Sequence, residues 1–214
     1  MAARRPAATR KIPRQQRSRE MVRRIIDAGQ AVLIDHGYEG ASTNRIAAAA
    51  DISPGSLYQY FPNKDAIIAA VIDRYHAELT ARIGDSVMAG LTQPPEIAGP
   101  TAIAALLDAL SEHPRLLRAV VEHTPRLDSA HTVHAFEHQI GEIARAALRM
   151  RKQSLPDDID ADATAWLLVR AVEHLTIRYV LDRPPIPRDR FLTDITRLIS
   201  NFFLTAPPST QTAW

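Results

Sequence analysis

Three histidines, His131, His134 and His138, fall close together with Glu137 and Glu142 beside them. His134 and His138 are four residues apart, so a helix would set both imidazoles on one face with His131 a turn earlier. Zinc or nickel accepts that donor set. Such pairs also stand on exposed helices where they only meet solvent, and no other segment offers a fixed third ligand. A metal sensor or a helical-bundle metalloenzyme is therefore the alternative reading, and neither metal nor cofactor is expected. Arg170 and His174 share the same spacing, one and two turns beyond Trp166 in an apolar stripe. A cation and an imidazole there must be paired or solvated. They would greet a polar or acidic group of a bound molecule, or pair with an aspartate or glutamate across an interface. Trp166, Arg170, His174, Phe136 and His123 are the candidate ligand-binding residues, with Met88 and Met150 behind them, and the plain alternative for Phe136, His123 and the two methionines is the core. A third constellation runs Ser53-Pro54-Gly55-Ser56-Leu57-Tyr58-Gln59-Tyr60. Pro54, Gly55 and Ser56 are small enough for the backbone to approach another molecule closely, and the phenols of Tyr58 and Tyr60 can donate to anionic oxygen.

These groups need a scaffold. The chain has 214 residues, 46% hydrophobic and 23% charged, which suits one or two small domains with a real core and excludes a disordered or fibrous chain. It has no cysteine, so disulfides, a cysteine-type zinc site and a cysteine nucleophile are excluded together. There is no glycine-rich phosphate loop, no Gly-x-Ser-x-Gly and no His-Glu-x-x-His, so an enzyme is not expected. The stretch from Ala163 to Leu181 is interrupted by Arg170, Glu173, His174 and Arg178, so no membrane span is expected. The basic start is followed by more arginine and not by an apolar run, so no signal peptide is expected and the cytoplasm is.

The formal net charge of +2 hides an asymmetry. Residues 1–64 hold 11 Lys/Arg against 5 Asp/Glu, a balance of +6, and residues 65–214 hold 15 against 19, a balance of −4. The excess begins with Arg4, Arg5, Arg10, Lys11, Arg14 and Arg17. Such a split suggests that the first third meets a polyanion while the rest does something else. A solvated basic tail is the plain alternative.

Apolar positions from Arg17 to His36 recur at three and four, which predicts a helix that Gly37 stops. A second helix opens at Ser42 or Thr43 and runs through Ala50, and Asp51-Ile52 make a tight break. Ser53 caps a third helix with Pro54 at its first position. Pro62 ends it, and Asn63 caps a fourth from Lys64 to about Leu91. Gln93 to Pro100 reads as a loop, and further helices are expected at about 101–112, 114–122, 128–152, 160–182 and 189–204. No segment alternates with period two, so the fold class is all-α. The boundaries read as a basic disordered arm at 1–15, a helix-turn-helix domain at 16–76, a larger helical domain at 77–205 and a disordered tail at 206–214.

Two short helices joined by a three-residue break have the outline of a helix-turn-helix whose third helix enters the major groove by its N-terminal end. Leu57 and Phe61 would face inward. Thr43 and Lys64 each open a helix, where amides and side chain together suit a phosphate. The segments Arg23-Arg24-Ile25-Ile26-Asp27-Ala28, Gly37-Tyr38, Ser42-Thr43-Asn44-Arg45-Ile46-Ala47, Ser53 through Phe61, and Asn63-Lys64-Asp65 resemble the tetracycline-repressor (TetR) family of transcription regulators. The resemblance covers about residues 16–76, and its Leu-Tyr-x-Tyr-Phe-x-Asn-Lys core is highly specific. Asp51 stands where the family often has glycine, and aspartate tolerates turn conformations. The resemblance implies that Thr43, Tyr58, Tyr60 and Lys64 hold phosphates while Pro54, Gly55, Ser56 and Gln59 touch base edges. Gln59 would be the main reader, since its amide both donates and accepts. Arg14 and Arg17 would add contacts from the arm.

The stretch 160–182 carries two apolar stripes. Ala163, Trp166, Leu167, Ile177 and Leu181 make one, and Leu168, Ala171, Val172, Leu175 and Tyr179 the other. A helix apolar nearly all round is buried on both faces, which suggests one face toward its own domain and one toward a partner subunit. Phe191, Ile195, Leu198, Ile199, Phe202 and Phe203 line the last helix. The resemblance implies that these two helices form a homodimer's four-helix interface. The expected function is a ligand-responsive DNA-binding regulator, a repressor released from a palindromic double-stranded operator by a small-molecule effector.

Overall fold

The computed structural model of the chain describes residues 14–124, 130–150 and 160–203. Apart from Arg14 and Gln15, the expected arm lies outside the described residues, and so does the whole expected tail. The elements in chain order are α1 (Arg14–Gly40), α2 (Thr43–Ala49), α3 (Pro54–Tyr58), α4 (Lys64–Gly90), α5 (Pro95–Glu112), α6 (Pro114–His123), α7 (Ala130–Met150), α8 (Ala161–Asp182) and α9 (Arg188–Phe203). Among the described residues there is no strand, so the fold is all-α as the periodicity implies. No helix of the described residues is long and apolar enough to cross a membrane.

The punctuation residues act where their chemistry says they must. Gly37 interrupts α1 with φ 67° and ψ −178°, a pair that is essentially glycine's alone. Ser42 caps α2 by accepting from the Arg45 amide at 3.2 Å, Ser53 caps α3 from the Ser56 amide at 3.1 Å, and Asn63 takes the Ala66 amide at 2.8 Å. Asp51 adopts φ 52° in the break between α2 and α3, the left-handed turn for which a glycine is the usual choice.

The segment 93–100 departs from the expected loop. There α5 begins at Pro95, with Pro94 as its cap residue and Pro100 inside it. Pro95 at the first position gives up no needed donor, and Pro94 accepts from the amides of Ile97 and Ala98, both at 3.0 Å. Pro100 removes one later hydrogen bond. Burial outweighs that loss: Ala98 is buried beside Gly90, where an added side-chain carbon would stand 3.0 Å from the Ala98 methyl.

The chain divides into two compact units within α4, one ending at Val71 and the other starting at Ile72. In the first, α2 packs on α1 and α3 on α2 around Ile25, Leu33, Ile46, Leu57, Ile67 and Ile68, all with no exposed surface. In the second, α8 packs against α5, α6, α7 and α9. Ile103, Ile195 and Ile199 form a buried cluster there, joined by Leu168, Val172 and Leu175 of one α8 stripe. The other stripe stays open in the single chain, with Trp166 63% and Leu167 45% exposed.

Candidate nucleic-acid interface and ligand cavity

α3 is held from below and open above. Leu57 is fully buried and pins the helix to its unit, while Pro54, Gly55 and Gln59 are exposed and Ser56 is half-exposed. The Ser53 and Ser56 hydroxyls lie 2.9 Å apart, which fixes the first turn. The Tyr58 hydroxyl, on a ring half exposed, lies 3.1 Å from the Thr43 hydroxyl. Thr43, at the start of α2, and Tyr58, at the end of α3, therefore present one shared hydroxyl pair. Tyr60 is half-buried. The Lys64 ammonium rests 4.0 Å above the Tyr38 ring and donates to the Tyr38 carbonyl at 3.4 Å. The Tyr38 hydroxyl in turn donates to Asp65 at 2.9 Å. Arg24 donates to the Asp51 carbonyl at 3.2 Å, so this arginine of α1 braces the turn before α3. Arg45 likewise bonds the Gly40 carbonyl. Arg17 is exposed.

The second unit contains a cavity of about 220 Å³. Ile83 and Val87 of α4, Ala102 and Leu106 of α5, and Ile140 and Ile143 of α7 are part of its wall, which continues on α8 and reaches Ile199 of α9. Its wall is aliphatic except for two carboxylates, Glu137 of α7 and Glu173 of α8. Arg170 Nη1 joins them, 2.5 Å from Glu137 and 3.1 Å from Glu173. Burial, ahead of the Arg170 charge that opposes it, pushes the Glu173 carboxyl above its ordinary value. Outside the lining, burial pushes the His76 imidazole down against the opposing charges of Asp73 and Glu137.

The comparisons decide the family. The model described as bacterial regulatory proteins, tetR family, matches residues 25–71, and the tetracyclin repressor-like C-terminal domain model matches residues 94–202. The chain belongs to the TetR family. This TetR-family protein is a DNA-binding transcriptional regulator. It is 26% identical over 173 residues to the transcriptional repressor DhaR of Mycobacterium sp. strain GP1, covering 79% of this chain and 87% of that one. It is 35% identical over 74 residues to the repressor KstR of Mycobacterium tuberculosis, covering 35% and 34% of the two chains. A TetR-family regulator structure from Mesorhizobium loti shares the fold, with a TM-score of 0.73 at 16% identity over 87% of this chain and 96% of that one. The fatty acid degradation regulator FadR of Bacillus halodurans shares it at 0.62 and 18%, over 86% and 95%.

Within the TetR regulator the eight proposed DNA-contact residues, Thr43, Pro54, Gly55, Ser56, Tyr58, Gln59, Tyr60 and Lys64, all belong to α2, α3, the segment after α3 or the first residue of α4. Sequence reasoning missed Tyr38 and Arg24 as their supports. Tyr38 follows the glycine break, and that adjacency was the available signal. The ligand residues fare differently. Trp166, Arg170, His174 and His123 are not among the residues lining the cavity. Trp166 and His174 project outward from α8, because the stripe that faces the cavity is Leu168, Val169 and Val172. His123 is buried in α6. Arg170 pairs with two glutamates of its own chain. Met88 and Met150 are exposed. The side chain of Phe136 lies outside the described residues, as do those of His131 and His134. His138 is exposed, with Nε2 3.8 Å from Glu142. Among the described residues no three His, Asp or Glu side chains gather as a metal site would need. The missed cavity residues Glu137 and Glu173 carried one signal: Glu173 sits three residues after Arg170 on α8, at a spacing that lets the two side chains meet.

Proposed function

We propose that the protein is a homodimeric repressor that inserts α3 of each subunit into the major groove of a palindromic operator and leaves it when a small molecule fills the cavity. The exposed, doubly capped first turn of α3 carries this reading. Pro54, Gly55 and Ser56 of that turn allow the close approach, and Gln59, the residue that closes α3, reads base edges. Thr43, Tyr58, Tyr60 and Lys64 hold phosphates. The open stripe of α8 with Trp166 and Leu167, together with the exposed Leu198 of α9, meets its copy in the partner subunit. Two copies of α3 then lie about 34–36 Å apart, or a multiple of that. α4 supplies Lys64 at its first turn and Ile83 and Val87 to the cavity wall, so one helix joins the two sites. The repressor names of DhaR and KstR support the direction of control. By linkage, an effector that weakens operator binding is itself bound less tightly on operator. Titrating the protein onto fragments of the DNA flanking its own coding region tests the reading. A protected site with two symmetric halves supports it, and uniform affinity across fragments contradicts it.

A further inference from the structure

We propose that the cavity selects an aliphatic ligand carrying one protonated amine, held by Glu137 and Glu173. This rests on the reading of the cavity as the effector site and names the ligand's chemistry. A dry apolar cavity of about 150 Å³ already accepts benzene, so a cavity of about 220 Å³ has room for a ligand of useful size. Its described lining contains no aromatic ring, so nothing there stacks on a planar ligand or boxes a cation by its π-faces. What the wall offers is hydrocarbon and two carboxylates.

The charged groups of the described lining select the sign of the ligand: they are two carboxylates, and Arg170 bonds both through the same nitrogen, Nη1. No lysine, arginine or histidine lies among the described lining residues. His76, whose charge is felt beside Glu137, is driven toward its neutral form by burial. His174, next to Glu173, points to solvent. An ammonium entering the cavity would donate to the carboxylates while its chain lies on Ile83, Val87, Ala102 and Ile140. A carboxylate ligand would meet two of its own kind and an arginine already engaged.

Calorimetric titration of the full-length protein at pH 7 with octylammonium, octanol and octanoate tests this. These probes share one chain and differ in the head group. Octylammonium is expected to bind roughly tenfold to a hundredfold tighter than octanol, the range of a charge-assisted hydrogen bond, with octanoate weakest. Glu173→Gln and Glu137→Gln should each remove most of the ammonium's advantage and leave octanol unchanged, and the octanol titration doubles as the check that each variant is folded. Equal or tighter binding of octanol or octanoate overturns the cation assignment while leaving the cavity as a binding site. Loss of the octanol signal in both variants also overturns it, because the glutamates would then serve the fold and not the head group. Failure of all three probes to bind the unaltered protein overturns the assignment together with the effector reading, and the operator titration described above reports separately on DNA binding.

Discussion

The unit ending at Val71 and the unit beginning at Ile72 solve opposite packing problems. The first closes its interior completely. Ile25, Ile46, Leu57, Ile67 and Ile68 expose nothing, and an added carbon on Gly29 would stand 2.9 Å from Ile67 and 3.2 Å from Val71. Its polar groups are outside, on short elements fixed by serine and asparagine caps. The second leaves about 220 Å³ unfilled and sets an arginine with two glutamates at the edge of that space. A surface that reads a rigid duplex needs donors whose positions do not drift, which a filled core provides. A domain that answers a small molecule needs volume to give up, and it keeps that volume at some expense in stability.

Substitutions in the two units sharpen this contrast. The largest effect is expected from Leu57→Ala, which empties the centre of the first unit and should lower stability by about 3 kcal/mol in chemical denaturation. Gly29→Ala comes next. Alanine in an open helix position gains about 1 kcal/mol over glycine, but Ile67 and Val71 are buried and β-branched and cannot yield, so overpacking wins and the net loss is about 1 kcal/mol. The opposite sign is expected at the cavity wall. Ala102→Met adds a flexible apolar chain where there is room and should gain about 0.5 kcal/mol. A loss at Ala102 as large as at Gly29 would erase the contrast.

The smallest effect depends on pH. The Glu173 carboxyl titrates higher in the folded chain than in the unfolded one, so its contribution is complete below the ordinary glutamate pKa of about 4.3 and is lost as pH rises through the folded value. Glu173→Gln does not titrate. It should melt slightly higher than the unaltered protein at pH 7, with the difference closing near pH 4. A variant that melts lower at pH 7 would mean that the Arg170 pairing outweighs desolvation.

The readable part of the molecule was the part whose residues act locally. Ser42, Ser53, Pro54 and Asn63 each work within four positions of themselves, so their chemistry marks helix starts without reference to the rest of the chain. Gly37 is of the same kind. Pro94 to Pro100 is hard to read because three prolines and a glycine indicate a loop locally, while the packing of Ala98 beside Gly90 comes from a different helix. The cavity was hidden for a related reason. Its glutamates lie on α7 and α8, 36 positions apart, and only the packing of those helices brings them to one guanidinium. Arg170 could be recognised as a cation that needed a partner, but which partner depended on that packing. Trp166 drew attention by its chemistry, yet the helix turns it outward, where an interface and not a ligand is the natural claimant.

Selection from a pool of randomised DNA duplexes, followed by affinity measurement at several salt concentrations, puts the operator reading to the test. Enrichment of a two-fold symmetric site is expected. Lys64→Ala should weaken enriched and random duplexes alike and flatten the salt dependence by about one unit of slope, while Gln59→Ala should change which bases are enriched and leave the slope alone. An unenriched pool, or a Gln59→Ala protein that selects the same site with the same preference, would contradict it.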